Sequence, residues 1–285
     1  MLLKTEPLNF LKENGYLSEL PPTDLLEPYE TEHYITNLVD RKLIKIFYVR
    51  MNENIGGSGG FYEGVKRGYK EGYNWLWLMD DDVEPMEDAL EKLSIYFKNK
   101  DVVALSMRVI TSSGHIAITH GKRVKDSPLG LQSLELKEYL KEFVEINGAS
   151  FVGFLIKYDA VKKIGFPRKD FFIYYDDLEY CIRLNKVGKI LLIPRSIIVH
   201  KRKRKEDPKR EINKYYSERN FTYLCKKYHK NKLRFYCGIF KKIIKGIIRI
   251  LIYEKNKYRR IKFLLNIYYD GLRENFDNTK PKNLY

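Results

Sequence analysis

Tyr73-Asn74-Trp75-Leu76-Trp77-Leu78-Met79-Asp80-Asp81-Asp82-Val83 joins a nearly unbroken apolar run to three successive acids. An apolar run buried on both faces suits a central strand of a mostly parallel sheet. Three carboxylates at the mouth of such a strand repel one another and lose hydration, so they require a counter-ion. Oxygen ligands suit Mg²⁺ or Mn²⁺, ions that keep sites for the diphosphate of a nucleotide. Ligands of open α/β sheets bind beyond the carboxyl ends of the strands, which is where these acids fall. In isolation an acidic triplet is more often a solvated loop; the strand in front of it reverses that reading.

Upstream, Leu43 to Val49 (LIKIFYV) is β-branched and aromatic and reads as a strand. It ends in Asn52-Glu53-Asn54-Ile55-Gly56-Gly57-Ser58-Gly59-Gly60-Phe61, a glycine-rich loop that opens a helix over Phe61 to Tyr73. Glycines admit a ligand close to the backbone, and a helix N-terminus favours an anion. The loop is neither a Walker A loop nor a G-x-G-x-x-G fingerprint, and a plain tight turn fits it as well. Downstream, Pro85 to Tyr96 reads as a helix and Val102 to Ile110 as a strand. The alternation of strand and helix predicts an α/β layered fold.

Two further features carry candidate chemistry. Phe171 to Arg183 (FFIYYDDLEYCIR) sets Asp176, Asp177 and Glu179 at a helix start, where negative charge is favoured. One of these acids could serve as a general base, or they could simply cap the helix. His200 ends a last strand, Leu191 to Val199, and taken alone is equally a surface residue.

The chain has 285 residues, 44% of them hydrophobic, enough for an α/β domain with an appendage. Its three cysteines form neither a disulfide framework nor a zinc pair, and no apolar stretch reaches signal-peptide or bilayer length. A cytoplasmic protein is expected. The net charge of +16 is uneven: Lys201 to Tyr285 holds 26 Lys+Arg against 8 Asp+Glu, whereas Met1 to His200 holds 27 against 29. This predicts a near-neutral body over 1–204 and a basic helical tail over 205–285. In the tail, Phe240, Ile243, Ile244, Ile247, Ile248 and Leu251 form one stripe, and Lys241, Lys245 and Arg249 another. Packing on the body and lying on an anionic membrane surface both suit such a helix.

In this order, N-x-G-G-x-G-G-F, W-L-W-L-M-D-D-D-V-x-P, Y-D-D-x-E-Y and a strand ending in histidine resemble the family 2 glycosyltransferases. The likeness is greatest to the branch with rhamnosyl- and galactofuranosyltransferases of bacterial surface glycans, and it covers roughly Asn9 to Asn220. It implies a GT-A fold and an inverting transfer of a sugar from a nucleotide-diphosphate donor to a glycan or lipid-linked glycan, at the inner face of a membrane. By the same resemblance Asn54, Gly57, Gly59, Gly60 and Phe61 lie near the donor nucleotide. Asp80, Asp82 and His200 match the metal and diphosphate positions, with Mn²⁺ or Mg²⁺ as cofactor. Asp177 matches the acid that takes the acceptor proton, and Asp176 and Glu179 support it or bind the acceptor. Asn147 to Phe154 (NGASFVGF) falls in the family's acceptor pocket, without the tryptophans often found there.

Two other classes share parts of this pattern. A nucleotidyltransferase also sets carboxylates and a metal beside a nucleotide, but needs no second acid pair such as Asp176 and Asp177. A nucleic-acid binder would use the basic tail with Tyr215, Tyr216, Tyr223 and Tyr228, yet leaves the acid triplet unexplained, and an acidic cleft repels phosphate. The family also opens with a strand, a helix and a second strand that Met1 to Pro7 do not match, the resemblance starting at a helix near Leu8. The first of those strands lies beside the one ending at Met79. The expectation is therefore an incomplete reading of a longer enzyme, weakly active as given.

Overall fold

The computed structural model describes residues 26–36, 40–124, 130–201 and 210–281. The expected helix near Leu8 and most of the charge run after Lys201 lie outside them. The chain forms two compact units, Met1–Ile55 and Gly56–Tyr285.

In the first unit, β1 (Tyr29–Thr36) pairs antiparallel with β2 (Leu43–Arg50), from Tyr29 opposite Arg50 to Thr36 opposite Leu43. Lys45 and Glu32 form a cross-strand ion pair at 2.8 Å, and Tyr29 meets Tyr48 edge-on. The predicted strand at Leu43 is present. Its partner β1 was not foreseen, and among the described residues the pair is a sheet of its own.

The second unit is layered α/β. Its elements are α1 (Gly56–Lys70), β3 (Trp75–Leu78), β4 (Val83–Pro85), α2 (Ala89–Ser94), β5 (Val102–Thr111), β6 (Gly121–Val124), β7 (Leu131–Ser133), β8 (Val144–Ile146), β9 (Gly148–Ala149), β10 (Phe154–Lys157), α3 (Tyr158–Ile164), α4 (Asp176–Leu184) and β11 (Lys189–His200). Three helices follow: α5 (Arg210–Tyr228), α6 (Lys232–Tyr253) and α7 (Lys257–Arg273). The main sheet runs β3-β10-β5-β11-β4, with β8 also on β11; β7-β6-β9 form a smaller sheet.

Period-2 alternation sends side chains to two cores. Leu76, Leu78, Ile190 and Leu192 join Val65 of α1, Val161 of α3 and Leu184 of α4 on one face. Trp75, Trp77, Leu191 and Ile193 join Ala89 and Leu93 of α2 on the other. The helical layers thus make β3 apolar throughout.

The expected mostly parallel pairing is corrected. Among the described strands only β5 and β11 run parallel; β10 is antiparallel to both β3 and β5, and β4 and β8 are antiparallel to β11. Burial on two faces depends on what covers the sheet and not on strand direction, so the apolar run could not distinguish the cases. Among the described residues β3 pairs with β10 alone.

Two boundaries also differ. The glycines Gly56, Gly57, Gly59 and Gly60 form the first turn of α1 instead of a loop before it. Pro85 belongs to β4, an edge strand where a missing N–H is tolerated, and α2 starts only at Ala89. Within β11 the register against β5 shifts between Ile193 and Ile197, around Pro194. There the buried Ser196 hydroxyl donates to Ala89 O at 2.8 Å and ties α2 to the sheet.

The C-terminal helices pack through aromatic residues. Tyr215 and Tyr216 of α5 meet Phe263 and Ile267 of α7, and Phe235 and Ile239 of α6 meet Tyr268 of α7. A Cβ at Gly271 would lie 2.6 Å from Arg219 O, so only glycine allows α7 this close to α5.

Candidate active site

The β4–β11 ladder sets Val83 opposite His200, so the turn after β3 folds back onto the end of β11. Lys201 N donates to Asp82 O at 2.8 Å and closes the turn. His200 Nε2 lies 3.1 Å from Asp82 Oδ1, and one ligand atom each from Asp80, Asp82 and His200 fall within 4.8 Å of one another. Two carboxylates and an imidazole form a donor set that fits a divalent cation. Asp81, between them, points to solvent. Three residues from two separate strand ends therefore meet.

Beside this trio lies a cavity of about 520 Å³, lined by His200 and Asp177 among others. Asp177, in the first turn of α4, accepts from Leu178 N at 2.7 Å. Burial raises its pKa above the ordinary carboxylate range, and nearby Asp80 adds to the rise; Lys122 opposes it. Asp176 is buried and does not line the cavity. Burial first, and then the charge of Asp177, push its pKa up to about 7.

Glu179 is placed elsewhere. It is 1% exposed and pairs with Arg183 at 2.8 Å, while its other oxygen accepts from Tyr228 at 3.0 Å. Arg183 in turn donates to the carbonyls of Ile164 and Phe166. Glu179 thus fastens α4 to its surroundings and is not a cavity residue.

The glycine-rich segment divides at the unit boundary. Asn54 lies exposed in the first unit. In the second, Gly57 and Gly60 are exposed, Gly59 is buried, and Phe61 turns inward, edge-on to Phe151 at 4.8 Å. Gly56 is the glycine with a fixed geometric duty: its φ is 71°, and a Cβ there would lie 2.1 Å from Phe172 O. Ser58 N donates to that same carbonyl at 3.0 Å. The start of α1 is therefore built against the segment that leads to Asp176.

That segment is strained. Phe172, Tyr174 and Tyr175 have φ of 66°, 70° and 67°, a region costly for residues with a Cβ. Helix α5 holds it: Asn220 Nδ2 donates to the carbonyls of Phe171, Ile173 and Tyr174 at 3.0, 2.9 and 3.0 Å. Arg219, fully buried, adds a bond to Phe171 O at 3.1 Å. Tyr174 and Tyr175 line the cavity, as does Ser217 of α5.

Sequence reasoning missed several lining residues. Gly148, Ala149 and Ser150 fall within the segment expected at the acceptor pocket, but His120 and Lys122 carry no motif. His120 Nδ1 lies 2.6 Å from Ser150 Oγ, and its ring stands edge-on to His200 at 5.6 Å. Burial, reinforced by His200 and Lys122, lowers its pKa to about 4, so it is neutral at pH 7.

Residues 27–165 match the family model "Glycosyl transferase family 2". The matched region contains Asp80 and Asp82, while Asp177 and His200 lie beyond it. Among curated proteins it is similar to "Galactofuranosyltransferase GlfT1" of Mycolicibacterium smegmatis, 30% identical over 61 residues, 21% of this chain and 20% of that one. The chain thus matches about a fifth of that relative's length. Solved structures with some likeness include GalNAc-T7 with UDP, GalNAc and Mn²⁺ (TM-score 0.44, 11% identity, 78% of this chain and 44% of that one). S. aureus TarS 1-349 is another (TM-score 0.43, 10% identity, 77% and 63%).

Proposed function

We propose that this chain is an inverting glycosyltransferase of the GT-A kind that moves a sugar from a nucleotide-diphosphate donor to a hydroxyl of a glycan or lipid-linked glycan. The carrying observation is that Asp177 and His200, the latter within the Asp80–Asp82–His200 trio, line one cavity. A base and a cation site so placed can act on opposite sides of one sugar.

Asp80, Asp82 and His200 would hold a divalent cation, Mn²⁺ or Mg²⁺, which when bound supplies positive charge for the departing diphosphate. Asp177 accepts the proton of the attacking hydroxyl as its oxygen bonds to the anomeric carbon. The bond from that carbon to the diphosphate oxygen breaks, and its electron pair leaves with the nucleoside diphosphate. Attack opposite the leaving group inverts the centre and needs no covalent enzyme intermediate. Tyr174 and Tyr175 offer the acceptor aromatic walls. Asp176, buried outside the cavity lining, is assigned to supporting Asp177 by the family resemblance. Asn54 and the glycines at the start of α1 are assigned to the donor side by the family resemblance.

The galactofuranosyltransferase similarity supports galactofuranose as the sugar; rhamnose, and a setting in polysaccharide or cell-wall synthesis, rest on the sequence resemblance alone. Among the described residues no helix is long and apolar enough to cross a membrane. A cytoplasmic location, peripheral at the inner face of the membrane, suits a lipid-linked acceptor. We divide the chain into a catalytic region, 1–204, and a basic helical region, 205–285, whose first helix holds the loop before Asp177.

The test offers the purified chain a panel of nucleotide-diphosphate sugars and acceptors with Mn²⁺, then reads the product's anomeric configuration and the nucleotide released. Nucleoside diphosphate with an inverted product is expected. Pyrophosphate release would identify nucleotidyl transfer instead, and a retained configuration would remove Asp177 from its role.

A further inference from the structure

The apolar stripe of α6 is two faces in the folded chain. Phe235, Ile239, Ile243 and Ile250 turn toward α5 and α7, and Gly246 meets Leu264 of α7. Tyr236, Phe240, Ile244, Ile248 and Leu251 remain exposed, Phe240 at 65%. At about 100° per residue these exposed side chains cover an arc of roughly 120° adjoining the packed face. Arg234, Lys241, Lys245 and Arg249 occupy the arc beyond it, and the helix contains no acidic residue. Tyr253 and Tyr258, at the turn into α7, are about four-fifths exposed.

We propose that this face of α6 docks on a bilayer rich in anionic lipid, its apolar arc entering the headgroup–acyl boundary and its cations meeting the phosphates. The inference is independent of the transfer chemistry. Charge complementarity selects the occupant: an apolar arc bordered by a row of cations matches hydrocarbon bordered by anionic headgroups. A second copy docking through α6 would bring no acid on that helix to pair with the cations. Exposed tyrosines at the helix turn suit the interface as well. No charge crosses the membrane, since the helix lies in its plane.

Cys237 supplies a reporter. It is the exposed cysteine, Cys181 and Cys225 being buried, and it projects between Tyr236 and Lys241. The full chain, labelled there with a polarity-sensitive fluorophore, is mixed with vesicles of phosphatidylcholine alone or with added phosphatidylglycerol. Co-sedimentation and a blue shift are expected only with phosphatidylglycerol, both declining at high salt. The triple variant Lys241→Glu, Lys245→Glu, Arg249→Glu should weaken partitioning by about a hundredfold. Phe240→Ser with Ile244→Ser and Ile248→Ser should abolish the shift. All six side chains are exposed or at the surface, so unchanged thermal unfolding should accompany both sets. Binding that ignores lipid charge, sedimentation without a blue shift, or lipid-free self-association that the serine variant abolishes would each overturn the proposal.

Discussion

Asn220 holds Tyr174: its amide donates to the Tyr174 carbonyl at 3.0 Å, and the same nitrogen reaches the carbonyls of Phe171 and Ile173. A side chain on α5 thus fixes the backbone just ahead of Asp176 and Asp177. Each bond contributes about 1 kcal/mol, and left-handed backbone at non-glycine residues costs about 1–3 kcal/mol apiece, so the clamp is what the strained loop leans on. Asn220→Ala should lower stability by about 2–3 kcal/mol and reduce kcat by at least about tenfold with donor affinity retained. Asn220→Asp should be no better, because a carboxylate cannot donate to three carbonyls. Urea unfolding and steady-state kinetics decide this, and unchanged kcat in both variants would sink the positioning role.

Asp177→Asn keeps the shape of the side chain but cannot take a proton at neutral pH. Turnover should fall by about 10²–10⁴-fold while donor binding persists. In the parent chain the acid limb of the rate profile should lie above the ordinary carboxylate range, because burial raises the Asp177 pKa. Lys122→Met removes the cation that opposes this rise, so the limb should move higher still. Donor affinity lost with turnover intact would reassign Asp177 to binding.

Asp176 makes a separate prediction about stability. Its pKa is near 3.8 ordinarily and about 7 in the folded chain, chiefly through burial and then the charge of Asp177. Between these values the folded state holds a proton that the unfolded state has released. Its contribution to stability is therefore full below about pH 4 and is lost as pH rises through about 7, by an amount on the order of a few kcal/mol. Asp176→Asn abolishes that titration. The melting temperatures of variant and parent should be close at pH 4 and should diverge progressively up to about pH 7 in favour of the variant, staying apart at pH 8. A constant difference across this range would refute the shift.

The sequence disclosed local features of this fold and concealed distant ones. Trp75 to Leu78 and Val102 to Ile110 form strands because their residue types suit a covered sheet, whereas the direction of β10 beside them depends on how the chain returns from β9. Asp80, Asp82 and His200 could be matched because each ends or follows a strand with its own pattern. Phe171 to Tyr175 carry no glycine to announce three left-handed residues, and the support comes from Asn220, 46 to 49 positions away. Lys122 and His120 sit on and before a short strand with no periodicity to single them out. The α6 stripe was visible, but its partition into packed and exposed faces depends on where α5 and α7 lie.

The metal site yields the last prediction. Asp82 and His200 are 3.1 Å apart, and Asp80 brings a second carboxylate within 4.8 Å of their ligand atoms. A ligand that binds only the folded chain stabilises it by about 2.7 kcal/mol at a hundredfold excess over its Kd. Mn²⁺ should therefore raise the melting temperature of the parent chain, and EDTA should reverse the rise. In Asp80→Asn, Asp82→Asn and His200→Ala the Mn²⁺ response should shrink or vanish, with the metal-free melting temperature little changed, because these partly exposed side chains act by ligation more than by packing. Asp81→Asn, at the exposed position between the two ligands, should keep the full response. A metal response that persists in all three ligand variants would place the cation elsewhere. One lost equally in Asp81→Asn would reduce the site to diffuse acidic charge.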